Sequence, residues 1–576
     1  MARIFLTNKG HIVPEIVEGT FKYNELHVDR YKILSFQKIR SKTKNFLKFD
    51  NGDFIASAGT IIYKENLGAS ALEMIYSNYE GDVNTIRNNS FGNYTLLIKK
   101  KGVLSIFVDE NSIHDLFYTI NASGCTIGTS LYHVLLTDSD ETTFNKTKLI
   151  EFSAQYCLIN GETFFDNTKK LQGNEIITID LTTDIASVLN IEEQENQQEP
   201  NTFEEYLDHI VEQLDESVGI LSKNFKKIGV SMTGGLDSRV LLSALLRNGV
   251  KPELYYGVGN TSITNTKSPD LHINQIFSER YNLDLTLMDW KHPVPLDSNW
   301  EELMTKYGFL SCTYGGANIF AELENGTSDF IDYGYFGEPF RNIDWMENKE
   351  ASFTLEEFLD QFYLNKVVKP VLEDYASYKQ QIYLNFESLC KQRSIDPGAI
   401  SLEEFQILHN EYRKNADKVM LNLTNLFCHS ISVLSQKKIL GSTEKLPKKF
   451  KEKSNFMLHL LDNLYPDILN VEFFSHTKKW VFNREKFHLK RKDYVKIDRV
   501  VALVRKLNIK TKLLEKIYGF IKRGKVSEEI KKREELRDYF KNKIDDEDFE
   551  KINDLSFLVR YSQHNYIISK ILKKVE

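Results

Sequence analysis

Nine residues, Ser231-Met232-Thr233-Gly234-Gly235-Leu236-Asp237-Ser238-Arg239, join one apolar run, Ile228-Gly229-Val230, to another, Val240 to Leu246. That order predicts a strand, a glycine-rich turn and the start of a helix. Backbone N–H groups and a helix N-terminus would then surround one anion-sized space. A pyrophosphate suits such a space, so ATP is the expected ligand. The two glycines let backbone approach a phosphate with no Cβ in the way. Ser231, Thr233 and Ser238 offer hydroxyl donors. Asp237 is a carboxylate where a polyphosphate would lie, and the two repel unless a divalent cation sits between them; its presence implies Mg²⁺. Arg239 either adds a charge-assisted contact to phosphate or forms a structural ion pair. The plain alternative is an ordinary strand–helix turn containing Gly-Gly, and the flanking strand and helix weigh against it. No Gly-Lys-Ser/Thr is present, so this is not a Walker loop.

Two further segments fit the same chemistry. Ser268-Pro269-Asp270-Leu271 follows the strand signal ending in Val258-Gly259, and reads as a capped helix start with proline at the first position. Asp332-Tyr333-Gly334-Tyr335-Phe336-Gly337-Glu338 follows another strand. Gly334 and Gly337 fit a tight, phosphate-facing loop. Glu338 offers oxygen to a hard cation, and Arg341 offers a guanidinium to phosphate or to a substrate carboxylate.

The elements that must hold these residues are legible in outline. With 576 residues, two or three domains are expected. Residues 1 to about 190 are β-rich. Phe54 to Tyr63 predicts a strand closely approached at Gly59, Tyr94–Ile98 and Leu104–Val108 a hairpin through Lys99-Lys100-Lys101-Gly102, and Glu175–Asp180 another strand. Ile191 to Pro200 is polar and reads as a linker. Asn201 or Thr202 caps a helix with apolar Tyr206, Ile210, Leu214 and Val218. From Lys227 to Tyr333, strands and helices alternate in the rhythm of a doubly wound parallel sheet. Beyond about residue 350 the pattern is mostly helical and lysine-rich.

Composition excludes several classes. The apolar fraction of 41% supports real cores, and the net charge of −7 argues against a nucleic-acid partner. Five scattered cysteines form no C-x-x-C pair, so no zinc site is indicated. No apolar run approaches the ~18 residues of a membrane span, and the first residues do not form a signal peptide. A cytoplasmic protein without integral membrane association is expected.

The turn resembles the Ser-Gly-Gly-x-Asp-Ser pyrophosphate loop of enzymes that cleave ATP between the α- and β-phosphates, with Thr233 for serine. Leu236 at the variable position is the form found in asparagine synthetases. The chain resembles that family further in Ser268-Pro269-Asp270. It also does so, more loosely, in the loop at Gly334, where the family has Ser-Gly-x-Gly-x-Asp-Glu. Glu338 stands where its Mg²⁺-binding aspartate stands, and Pro339 replaces the second acid. Phe107 to Tyr118 and Tyr156 to Asn174 sit where the family's glutaminase domain has its own ordered motifs.

The resemblance implies an α/β architecture in three parts. Residues 1–190 would form an αββα glutaminase-like (Ntn) sandwich. Residues 200–480 would form a parallel-sheet pyrophosphatase-loop synthetase domain, and 481–576 a basic helical C-terminal extension. It implies ATP contacts at Met232, Thr233, Gly234, Gly235, Leu236, Asp237, Ser238, Tyr333 and Gly334, adenine packing at Val258 and Gly259, and Mg²⁺ on Asp237 and Glu338. The catalytic candidates are Asp237, Arg341 and Lys453, the last from the basic stretch Lys449 to Ser454. A solvated lysine face is the alternative for Lys453, and a satisfied buried or surface histidine is the better reading of His429. The basic stretch from Lys486 to Arg533, with Val500, Val501, Leu503 and Val504, suggests an amphipathic helix.

The family's glutaminase uses an N-terminal cysteine, whereas here Ala2 follows Met1, so glutamine hydrolysis is not expected. What remains is adenylation of a small-molecule or peptide carboxylate, then attack by ammonia or a substrate amine. An intramolecular macrolactam or lasso-peptide-type cyclase, and a scaffold that keeps the ATP fold without turnover, are the alternatives. A tRNA-modifying ligase fits the acidic balance poorly. A homodimer is left open.

Overall fold

The computed structural model describes residues 3–9, 21–138, 143–192, 200–258, 269–289, 318–341, 352–475, 478–492, 538, 551–552 and 555–573. Its N-terminal part is built from two antiparallel sheets. One holds β1 (Arg3–Thr7), β2 (Tyr23–Val28), β3 (Tyr31–Phe36), β9 (Phe117–Asn121), β10 (Gly124–Gly128) and β11 (Lys169–Lys170), in the order β11-β9-β10-β1-β3-β2. The other holds β4 (Phe46–Lys48), β5 (Phe54–Tyr63), β7 (Ser90–Lys100), β8 (Val103–Val108), β12 (Glu175–Asp180) and β13 (Ile185–Asn190), with β6 (Asn66–Leu67) at its side.

Period-two alternation sorts the side chains into layers. Ile4, Leu6, Ala56, Leu97 and Ile106 fill the space between the sheets. Ile55, Leu96 and Phe107 point the other way, onto helix Ala69–Asn78. Phe5, Leu34 and Phe36 meet helices Leu131–Thr137 and Lys146–Gln155 on the opposite outer face. The layers therefore run helix, sheet, sheet, helix. All ten residues of β5 are buried, which explains its unbroken apolar and small composition. Gly59 has φ +75°, and a Cβ there would stand 2.3 Å from the Asn93 carbonyl, so the close approach read from the sequence is real.

The second part opens with helix Phe203–Asn224, started by a Thr202–Glu205 capping box and burying Tyr206, Ile210, Leu214 and Val218. Four parallel strands follow: β14 (Ile228–Ser231), β15 (Glu253–Val258), β16 (Leu285–Asp289) and β17 (Phe330–Asp332). Their order is β16-β15-β14-β17. The chain thus winds outward from β14 through β15 to β16, then returns to place β17 on the other side of β14. The reversal puts a topological switch point between the C-terminal ends of β14 and β17. In open α/β sheets such a point leaves a crevice for ligands.

A helical region completes this part, with a short β18 (Ser352–Phe353) paired to β19 (Ile400–Ser401). Helix Val419–Phe427 and the residues after it wedge against the N-terminal sheets. The next segment differs from the helical expectation. Three strands, β20 (Phe473–Ser475), β21 (Lys478–Asn483) and β22 (His488–Lys492), form an antiparallel meander. The basic run Lys490-Arg491-Lys492 therefore lies on a strand. Val500 to Val504 and Lys531 to Arg533 lie outside the described residues. Helix Leu555–Lys573 returns to the N-terminal part, where Arg560 donates to the Ser153 carbonyl and lies over the Tyr156 ring at 4.1 Å. Among the described residues, no helix is long and apolar enough to cross a membrane.

Candidate functional site

The turn after β14 leads into helix Asp237–Arg247, whose start at Leu236 carries no side-chain cap. Its first N–H groups therefore present the positive end of the helix dipole at the switch point. The loop after β17 lies against this helix start, backbone to backbone. A Cβ on Gly337 would fall 2.3 Å from Asp237 Cβ, and one on Gly334, at φ +63°, would fall 3.0 Å from Ser238 Cα. Only glycine allows that contact at both positions.

The turn itself is tightly held. Gly234 N–H donates to Asp270 Oδ1 at 2.9 Å, Thr233 N–H to Ser238 Oγ at 3.2 Å, and Gly235 N–H to Thr233 Oγ1 at 3.3 Å. Asp270, the acid of Ser268-Pro269-Asp270, is thus a brace for the loop; burial raises its pKa, against the Gly234 N–H and Arg239. Asn274 Nδ2 donates to the Met232 carbonyl at 3.3 Å, and Phe474 N–H to the Gly234 carbonyl at 2.9 Å.

Arg239 does not serve phosphate. It is fully buried, and its guanidinium donates to five backbone carbonyls, those of Gly234, Gly235, Ile468, Val471 and Glu472. The Phe473 ring lies 3.8 Å away and the Phe277 ring 4.9 Å. Burial pulls its pKa down to about 9. Among the described residues it forms no ion pair either; it ties the loop to the segment before the meander.

Across the crevice, Arg341 grips Asp237 with both arms, Nε to Oδ1 at 3.1 Å and Nη2 to Oδ2 at 3.2 Å. Glu338 Oε2 is 3.2 Å from His409 Nε2 and 3.6 Å from Arg413 Nε, and Arg341 stands 3.9 Å from its other oxygen. Burial works to raise the Glu338 pKa, but His409, Arg413 and Arg341 outweigh it and hold the carboxyl well below its usual range. Asp417, 2.7 Å from Arg413, is pushed up to about 6 by burial despite that arginine. Asp332, at the end of β17, accepts from the N–H groups of Gly334 and Val433 at 2.8 and 2.9 Å, and burial lifts it to about 7. His409, Arg413 and Asp417 escaped the sequence reading. Their four-residue spacing marks one helix face, but nothing local says that this face meets Glu338.

The uncapped helix start is the kind of place that attracts an anion, although the N–H groups of Thr233, Gly234 and Gly235 are used within the protein. A divalent cation does not fit the carboxylates as they stand, because Asp237 has both oxygens on Arg341 and Glu338 is already engaged by two guanidinium groups and the His409 ring. Among the described residues no group of three or more His, Cys, Asp or Glu side chains is placed to hold a metal ion.

The remaining candidates are dispersed. Val258 ends β15 in a small cluster with Tyr256 and Leu271; Gly259 and Ser268 lie outside the described residues. Tyr333 is buried, its hydroxyl 2.6 Å from Thr424 Oγ1. Lys453 is exposed at φ 50°, in a kink between helices. The buried lysine of that stretch is Lys451, which donates to the Thr443 carbonyl at 2.7 Å and is lowered by burial to about 7. His429 is a satisfied buried histidine. Its ring nitrogens lie 3.1 Å from Ser41 Oγ and 3.3 Å from Thr60 Oγ1, and burial holds its pKa well below the ordinary value.

No family model and no curated protein matches the chain. Among solved structures it is similar to a glutamine phosphoribosylpyrophosphate amidotransferase from B. subtilis complexed with ADP and GMP. That match has 10% identity over 50% of this chain and 80% of that one, with a TM-score of 0.19. It is similar also to a structure described as the allosteric regulatory enzyme of purine biosynthesis, with 8% identity over 53% and 72% and a TM-score of 0.21. Scores this low leave the functional reading to the chain's own geometry.

Proposed function

We propose that the chain is an ATP-dependent, AMP-forming amide synthetase. The observation that carries this reading is the uncapped start of helix Asp237–Arg247, set at the switch point and faced by the Gly334–Gly337 loop. A substrate carboxylate oxygen attacks the α-phosphorus of ATP, the bond to the β-phosphate oxygen breaks, and pyrophosphate leaves toward the helix start. An amine nitrogen then attacks the acyl carbon, the acyl–oxygen bond breaks, AMP departs, and the amine gives up a proton to solvent. The protein's part is positioning and electrostatic stabilisation of charge on phosphate. Arg341 is placed to exchange Asp237 for a phosphate or a substrate carboxylate. Mg²⁺ belongs to the proposal only if Arg341 releases Asp237.

The N-terminal layers are read as a glutaminase-like sandwich that does not supply nitrogen. Burial pushes the thiols of its Cys125 and Cys157 up to about 12, far from thiolate chemistry. The amine is then ammonia or a group on the substrate itself, including an intramolecular one.

The test is pyrophosphate release from ATP across a panel of carboxylates and amines. Release should fall at least a hundredfold in Asp237→Ala; release unchanged in that variant sinks the assignment. Turnover that depends on glutamine would remove the claim about the N-terminal part. A second reading, a nucleotide-binding scaffold, is favoured by the closed Arg341–Asp237 pair and by Phe474 on Gly234. It predicts ATP binding with no pyrophosphate released for any acid.

A further inference from the structure

Between the N-terminal part and helices Leu402–Ala416 and Val419–Phe427 lies a cavity of about 90 Å³. It shares no residue with the two glycine loops. That is room for a few waters, at roughly 30 Å³ each in the liquid, or for one small organic molecule.

The wall carries more buried positive charge than it compensates. Lys170 and Lys418 line it at 6% and 4% exposure. Lys418 is matched: its ammonium is 2.6 Å from Asp115 Oδ1 and donates to the Ser112 carbonyl at 3.1 Å. Asp115 is also used by Asn422 Nδ2 at 3.1 Å. Lys170 donates to the side-chain oxygen of Asn415, and among the described residues no carboxylate pairs with it. Glu162, the other acid in the wall, is taken by Lys148 and Lys169. A buried ammonium without a counter-charge is costly. Burial, then the neighbouring Lys418, pull the pKa of Lys170 down to about 7, against the pull of Asp115. The rest of the lining is mixed, apolar at Phe117, Leu131, Phe164 and Leu426 and polar at Thr129, Thr163 and Asn422.

We propose that this cavity is a binding site for a small organic carboxylate with a short apolar body, its carboxylate seated on Lys170. A bare phosphate or sulfate would match the ammonium but leave the aromatic and aliphatic wall without a partner. A neutral molecule would leave Lys170 uncompensated.

The full-length chain is to be titrated with butyrate, 1-butanol and inorganic phosphate, read by calorimetry and by shift of the thermal midpoint. Saturable binding of butyrate, at least tenfold tighter than either comparator, is expected. Lys170→Met nearly keeps the side-chain length and removes the charge; it should weaken butyrate at least tenfold, while Lys101→Met, at an exposed lysine outside the lining, should not. Should Lys170→Met fail to fold, Val419→Phe narrows the cavity with the lysine intact and should abolish binding. No saturable butyrate binding, phosphate bound more tightly than butyrate, or full affinity in Val419→Phe overturns the proposal.

Discussion

Arg239 shows how one side chain can set the shape of a loop without touching its ligand. Its planar fork carries five N–H donors in fixed directions, and each has a carbonyl to meet. Two carbonyls belong to the glycine turn and three to the segment from Ile468 to Glu472. Arg239→Met removes these bonds and leaves buried carbonyls unpaired, so a loss on the order of 3 kcal/mol is expected in urea denaturation. Arg239→Lys keeps the charge but not the fork, and should recover less than half of that loss. An unchanged urea midpoint in Arg239→Met would show that the clamp contributes nothing. Arg341 is the opposite case, a partly exposed guanidinium that grips with two bonds the acid expected to do the chemistry.

At the scale of elements, helix Lys146–Gln155 carries Glu151, 4% exposed, whose Oε1 accepts from the Tyr363 hydroxyl at 2.6 Å. Burial raises Glu151 to about 8, outweighing that hydrogen bond. A carboxyl whose folded pKa is raised holds its proton longer folded than unfolded, so it destabilises the fold increasingly as pH rises from its unfolded value, ~4.3, to about 8. Glu151→Gln should therefore gain on the wild type by up to about 1.4 kcal/mol per pH unit across that window. The check is the denaturant midpoint of both proteins at pH 5 and pH 8.5; a difference independent of pH rejects the claim. Local pattern made much at this scale legible. Strand and helix alternate from β14 to β17 as read, the Thr202 cap is present, and Gly334 and Gly337 do mark a tight loop. The strand order that brings this loop to Asp237 was not legible, because no local period encodes which strand lies beside which. The meander after Phe473 was missed because its lysines masked the alternation that pairs Phe482 with Leu489. Arg239, which the sequence left between phosphate and ion pair, needed partners more than two hundred residues away.

At the scale of the molecule, the two parts share a polar, buried seam. Lys38, 4% exposed, donates to the Asn425 carbonyl at 2.8 Å and to its side-chain oxygen at 2.6 Å, and burial lowers its pKa to about 7. Thr60 donates to the same side chain at 2.7 Å, and Ser432 N–H to Asn93 Oδ1 at 2.9 Å. Ile39 and Arg40 N–H groups donate to the carbonyls of Leu426 and Phe427 at 3.0 and 2.9 Å. Separating the parts would strand all of these groups, so a single calorimetric transition is expected for residues on both sides. Asn425→Ala should lower that transition without splitting it, and two well-separated transitions in the wild type would contradict this. The Arg239 clamp carries one more consequence, for the order in which the protein is made. The glycine turn leaves the ribosome long before Ile468 to Phe474 exist, and without them Arg239 keeps only the turn's own carbonyls and the Phe277 ring. A nascent chain arrested before residue 468 should hold the sequence of the glycine loop without its shape, so the ATP binding proposed for it would begin only after residue 474 has been made.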